Sequence, residues 1–207
     1  MSPINHFDTV AREWDKNLVH AKRTEAIAAA LLQMAPMHYA MKALEFGAGT
    51  GLLSFALKDH LAEITLMDNS AEMIKVIEEK IAAAGIKNMH AVLFDLEKKS
   101  YKTKKFDIIY SQMALHHVHN IEDLFARFSN MLLPGGTIAI ADLYLEDGTF
   151  HDGDFTGHRG FDPDKLFEIY MLSGLKNVSY KPCFVIEKTF ADGTSKNFPV
   201  FLMTGQK

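Results

Sequence analysis

At 207 residues, with 48% apolar and 23% charged side chains, the chain is long enough for one domain with a substantial core, and its composition is that of an ordinary globular protein. A net charge of −4 argues against a surface built to follow phosphate backbones, so no nucleic-acid partner is expected. One cysteine, Cys183, excludes an internal disulfide, the first residues show no secretory pattern, and no uncharged apolar run approaches the ~20 residues of a membrane span, so a cytoplasmic, membrane-free protein is expected.

Apolar strand-like runs alternate with helical patterns, the mark of a mostly parallel sheet covered on both faces. Residues 21–35 read as a helix with Ala26, Ile27, Ala30, Leu31 and Met34 on one stripe, stopped by Pro36. A strand at 42–46 enters a glycine-rich turn and a helix over about 50–60. A second strand covers 64–67, and Ser70 caps a helix that ends at Gly85. Strands follow at 89–94 and 106–110, then a helix over 121–133 closed by Pro134, Gly135 and Gly136. A fifth strand spans 137–143, and Pro163 opens a last helix ending near Gly174. Runs at 178–188 and 197–204 lie too close together for a crossover and read as an antiparallel hairpin. No repeat or linker divides the chain. One domain over 1–207 is expected, with 1–36 as a helical cap.

The most informative stretch is 44–51, Leu-Glu-Phe-Gly-Ala-Gly-Thr-Gly. Gly47, Gly49 and Gly51 between a strand and a helix put bare peptide groups against a ligand at a helix N-terminus, which suggests a nucleotide or nucleoside. Asp68 follows Gly47 by 21 positions at the end of the second strand, where a carboxylate accepts from ribose hydroxyls. The glycine spacing is not that of pyridine dinucleotide binders. Glu45, just before the glycines, disfavours a pyrophosphate and suits a cationic ligand such as an ammonium.

These motifs resemble the class I S-adenosylmethionine-dependent methyltransferases of the small-molecule type. The resemblance is carried by 44–51, by 67–74 (Met-Asp-Asn-Ser-Ala-Glu-Met-Ile), by Phe94-Asp95-Leu96, by 106–118 and by 132–136. It implies an α/β fold, a Rossmann-like doubly wound seven-stranded sheet of order 3-2-1-4-5-7-6 with strand 7 antiparallel. It also implies S-adenosylmethionine as cofactor and a small-molecule acceptor, with the nucleophilic atom and the oligomeric state left open. Carried over by residue, Glu45 and the backbone of Gly47, Ala48, Gly49 and Gly51 would hold the methionine part. Asp68 would hold the ribose, Asn69 and Met73 would lie beside the adenosine, Asp95 and Leu96 would read adenine, and Ser111 and Met113 would line the sulfonium side.

Histidines crowd the loops after strands four and five: His116, His117 and His119, then His151 and His158. An imidazole titrating near ~6.5 suits removal of a proton from an acceptor, so His116, His117, His151 and His158 are the general-base candidates, although methyl transfer can proceed by positioning alone. His116, His119, His151, Asp152, Asp154 and His158 are metal-ligand types, but the 116/117/119 spacing matches no zinc pattern and one cysteine gives no thiolate set, so no metal is expected. Trp14, in the segment before the core, is a flat wall for the acceptor or an anchor for that segment. Two other classes compete: an NAD-dependent oxidoreductase, favoured by Asp68 and disfavoured by Glu45, and a non-catalytic S-adenosylmethionine-binding regulator.

Overall fold

The computed structural model describes residues 3–102, 105–151, 153 and 155–207. Two helices, α1 (Pro3–Val10) and α2 (Leu18–Met34), lead through a 3-10 turn between them to the first strand. Then come β1 (Lys42–Phe46), α3 (Leu52–Leu57), β2 (Glu63–Asp68), α4 (Ala71–Ala84), β3 (Met89–Leu93), β4 (Phe106–Gln112), α5 (Ile121–Met131), β5 (Leu132–Leu143), α6 (Pro163–Leu172), β6 (Lys176–Thr189) and β7 (Ser195–Gln206). The seven strands form one sheet of order β3-β2-β1-β4-β5-β7-β6. The first five pair in parallel, and β7 runs antiparallel to both β5 and β6.

Side-chain alternation sorts the two faces. In β5, Ala139 and Ala141 face the layer of α2, α3 and α4, whereas Ile138 and Ile140 face α5 and α6. Small residues on the first face let three helices pack closely. The second face is filled by Phe125, Phe128 and Tyr170, each fully buried and each contributing on the order of 2 kcal/mol by leaving water. Helix α5 shows why its sequence is helical: Ile121, Leu124, Phe125, Phe128 and Met131 share the buried stripe, and the Asn120 side chain accepts from the Asp123 N–H to cap its start. Ser70 caps α4 in the same way, accepting from Met73 N–H at 3.2 Å, and Gly85 ends it in the left-handed conformation.

Beyond β4, which continues past the expected 110 to Gln112, two elements differ from the sequence expectation. The helix expected over 50–60 is regular only over Leu52–Leu57 and tightens to a 3-10 turn at Lys58–His60. Pro134, Gly135 and Gly136 do not separate α5 from β5. They sit inside β5 as a bulge, because Phe106 pairs with Leu132 while Ile108 pairs with Thr137. Proline is tolerated there because a bulged residue has no ladder bond to donate.

Candidate active site

The connections from β1 and β4 leave in opposite directions, and the crevice outside their carboxyl ends is the site this topology offers a ligand. A cavity of about 670 Å³ opens there. Gly47, Ala48 and Gly49 line its floor. Gly49 has φ +55° and open space where a Cβ would stand, so its backbone is bare to the cavity. The other two glycines serve packing. A Cβ on Gly47 would lie 2.4 Å from the Ala114 Cβ, and one on Gly51 would lie 2.8 Å from a Leu66 methyl. Gly51 is therefore a helix cap behind the wall and does not line the cavity.

Asp68 closes the turn from the side. Its carboxylate accepts from Gly49 N–H at 2.7 Å and Ser70 N–H at 2.9 Å, leaving lone pairs for a ligand. Burial raises its pKa to about 6, which still leaves it ionised at neutral pH. Asn69, Met73, Phe94, Asp95 and Leu96 continue this side of the cavity. Asp95 is held by the backbone N–H of Glu97 at 3.1 Å and by the Lys98 ammonium at 2.7 Å.

Glu45 and Ser111 are not where the resemblance would put them. Glu45 is fully buried under the turn, where it accepts from Ser54 N–H at 3.2 Å and from the Ser54 hydroxyl, and its Oε1 has no partner among the described residues. Burial pushes its carboxyl up to about 8, so at neutral pH it is mostly uncharged and offers little to an ammonium. Ser111 is buried on the opposite side of β4 from Gln112, and strand alternation puts Gln112 in the cavity wall in its place. Met113 does line the cavity, with φ 53°, a costly conformation for a residue with a side chain; Ala141 accepts its N–H at 2.8 Å.

The other end of the cavity is built from side chains. His116 and His117 sit on a 3-10 turn after β4, and both line the cavity together with His151. His116 is buried, and its Nδ1–H donates to Asp142 at 2.6 Å. Asp142 also accepts from the backbone N–H groups of His116 and Leu143. His158 does not reach the wall: its ring packs on Phe161, and its contribution is a backbone N–H donated to His116 O at 2.7 Å. His119 turns to the rim, its side chain 78% exposed beside Glu97. Asp152 and Asp154 lie outside the described residues.

The N-terminal segment closes this end. Trp14 lines the cavity and packs on both Phe7 and His20, so it is wall and anchor together, and Phe7 meets the His117 ring edge-on at 5.1 Å. The segment is tied to α4 and the glycine turn: Asp8 accepts from the Ser70 hydroxyl, Arg12 pairs with Glu79, and Lys80 donates both to Asp15 and to Thr50 O.

Sequence reasoning missed Arg23 and Asp142. Arg23 lines the cavity at 6% exposure, and its Nε has no hydrogen-bond partner among the described residues. Burial lowers its pKa to about 10, so it remains a cation. Each left a signal: Arg23 stands four positions before Ile27 on the apolar stripe of α2, and Asp142 is the one acid inside the apolar run 137–143. A charge at a core-facing position is a question the pattern poses.

Residues 44–140 match the family described as methyltransferase domain. An uncharacterised methyltransferase of Schizosaccharomyces pombe is 28% identical over 153 residues, 66% of this chain and 54% of its own. The chain spans about half the length of the curated relatives it matches. The YcgJ protein of Bacillus subtilis shares the fold at a TM-score of 0.71 and 16% identity over 87% of this chain and 97% of its own. A Haemonchus contortus phosphoethanolamine N-methyltransferase in complex with phosphomonomethylethanolamine and S-adenosylhomocysteine does so at 0.70 and 17%, over 87% of this chain and 52% of its own. Among the described residues no helix is long and apolar enough to cross a membrane. The family match runs through the same glycine turn and acidic strand end that bound the cavity, and over residues 44–140 the chain is similar to the methyltransferase domain, whose fold it shares.

Proposed function

We propose that this chain binds S-adenosylmethionine in the cavity above β1 and β4 and transfers its methyl group to a small molecule. The observation that carries the reading is the pairing of opposite needs along one cavity: the open Gly49 turn held by an ionised Asp68, and a buried Arg23 guanidinium. A nucleoside with an amino-acid tail meets both, with its ribose diol on Asp68 and its carboxylate on Arg23. Asn69, Met73, Asp95 and Leu96 would flank the base, and Met113 the sulfur. The cofactor, when bound, supplies an electrophilic methyl on a cationic sulfur.

The chain's own part in the reaction is placement and proton handling. The side chains of Phe7, Trp14 and Phe150 give the far end of the cavity apolar walls that exclude water from the methyl's path. The imidazoles there supply nitrogen to receive an acceptor proton. A small acceptor agrees with a cavity closed by the chain's own N-terminal segment, and one fold neighbour is itself complexed with a small phosphorylated amine. The test is thermal stabilisation by S-adenosylhomocysteine against NADH. Stabilisation by the first alone, with labelled methyl leaving S-adenosylmethionine in an acceptor panel, is expected. Stabilisation by NADH alone would favour the oxidoreductase reading, and tight binding without transfer to any acceptor would favour a regulator.

A further inference from the structure

Two loops far apart in sequence bring three histidines to one point. His116 and His117 come from the turn after β4, and His151 from the long loop after β5. One ring nitrogen from each lies within 4.8 Å of the other two. The ring centroids stand 4.2, 5.0 and 5.4 Å apart. The geometry points to a divalent transition metal, zinc first, bound by His116, His117 and His151 at the acceptor end of the cavity.

The surroundings are those of a built ligand set. Asp142, fully buried, holds His116 Nδ1–H and so fixes the tautomer in which Nε2 is the nitrogen left for a ligand, the carboxylate–histidine arrangement that orients metal-binding imidazoles. Phe155 stacks on His151 at 3.8 Å, and Phe7 packs edge-on against His117, so apolar rings fix the other two. The loop carrying His151 is tied to the same turn at a second point, where His158 N–H donates to His116 O. Gly157 makes that approach possible, since a Cβ there would lie 2.3 Å from the same oxygen.

Zinc–nitrogen bonds of about 2.0–2.1 Å set tetrahedral ligand atoms about 3.4 Å apart, so the three nitrogens must draw together by roughly an ångström. Lys188 and Phe198 hold the neighbouring Phe150 to β6 and β7, so the approach is made by rotation of the imidazole side chains. Three imidazoles suit zinc, copper, iron or nickel, and three protein ligands leave a fourth position, as in catalytic sites. That position faces the cavity. With the metal bound the three imidazoles no longer take the acceptor's proton; an acceptor hydroxyl at that position would ionise near neutral pH, its proton passing to solvent. Its oxygen would then form the new bond to the methyl as the sulfur–carbon bond breaks, the electron pair staying on sulfur to leave a neutral thioether. This last step rests on the methyltransferase reading; metal binding does not.

The sequence expectation of no metal judged His116, His117 and His119 by their spacing. The structure turns His119 away and supplies His151 from 34 positions beyond His117.

The experiment strips the full, untagged chain with a chelator, then titrates zinc sulfate against a chromophoric chelator. One zinc per chain is expected. His151→Ala and His117→Ala should each lower affinity at least 100-fold, Asp142→Asn roughly 10–100-fold, and His119→Ala and His158→Ala not at all. No zinc uptake, or uptake that survives His117→Ala and His151→Ala, overturns the proposal. The two histidine variants are only partly buried and keep the fold testable where His116→Ala does not. S-adenosylhomocysteine binding by the same stripped samples reads the cofactor site separately, so failure of either reading is recognised on its own.

Discussion

The two ends of the cavity are made in opposite ways. The end proposed for the cofactor is backbone and short motif: a turn of eight residues, one acid at a strand end, and an Asp-Leu step after β3, all fixed by the parallel sheet beneath them. The end proposed for the acceptor is side chain and long range. It is assembled from the N-terminal segment with α2, the turn after β4 and the loop after β5, three parts well separated in sequence. The first end follows from topology, since any chain with this sheet order has a crevice there. The second depends on side-chain contacts between separate segments, and under the proposed function that is where the acceptor would be selected.

The largest expected effect breaks the comparison at its strongest point. Asp68→Ala removes the acceptor of Gly49 N–H and of Ser70 N–H together with the carboxylate offered to the ribose. Charged hydrogen bonds are worth about 1.5–3 kcal/mol each, so calorimetry should show S-adenosylhomocysteine affinity reduced roughly 100-fold or more. Retention of wild-type affinity would mean the turn is held without Asp68 and that the ribose lies elsewhere.

Arg23→Met comes next, because Arg23 is the buried cation in the cavity wall that the proposed function pairs with the cofactor's carboxylate. Its guanidinium is buried without a hydrogen-bond acceptor on Nε, with Asp142 as its favourable charge. An unpaired buried cation weakens the free protein, and a methionine of similar length removes that strain. Affinity for S-adenosylhomocysteine should fall about tenfold while the melting temperature of the ligand-free chain holds level or rises. A variant that melts lower and binds normally would make Arg23 a structural residue.

How much of this was legible follows the same division. The alternation of strands and helices, the glycine turn and the place of Asp68 at a strand end were readable because each is a local pattern with a physical reason at fixed spacing, whereas the strand order came from the family resemblance. The exchange of Ser111 for Gln112 was not, since the reading took the residues after β4 as a loop while the strand continues to Gln112 and alternation decides which side chain faces the cavity. The roles of Gly47 and Gly51 were misread in one respect. Their missing side chains make room for Ala114 and Leu66, contacts between segments that no spacing rule reveals. The histidine cluster was half visible: the residue types were clear, but the choice of His151 over His119 is made by the fold of a long loop.

The smallest effect on cofactor affinity is expected at Glu45, and it sharpens the picture of the floor. Sequence alone makes this carboxylate a partner for the cofactor's ammonium, whereas the structure seals it beneath the turn with Ser54. Burial raises it to about 8 from an ordinary 4.5, so across that interval the folded chain keeps a proton the unfolded chain has released. Stability therefore falls as pH rises through the window, by at most about 1.4 kcal/mol per pH unit, and levels off above it. Asp68 adds a slope of the same sign only up to about 6, and His20, whose pKa burial lowers, adds an opposite slope around the ordinary histidine value of 6.5, so the decline toward 8 belongs to Glu45. Glu45→Gln keeps the shape and removes the titration: between pH 7 and 8 thermal melts of the variant should lose the decline the parent shows, with S-adenosylhomocysteine affinity at neutral pH changed less than about threefold. A flat parent, or a variant that binds tenfold more weakly, would return Glu45 to the cavity as an ionised contact and make the cofactor end as dependent on side chains as the acceptor end.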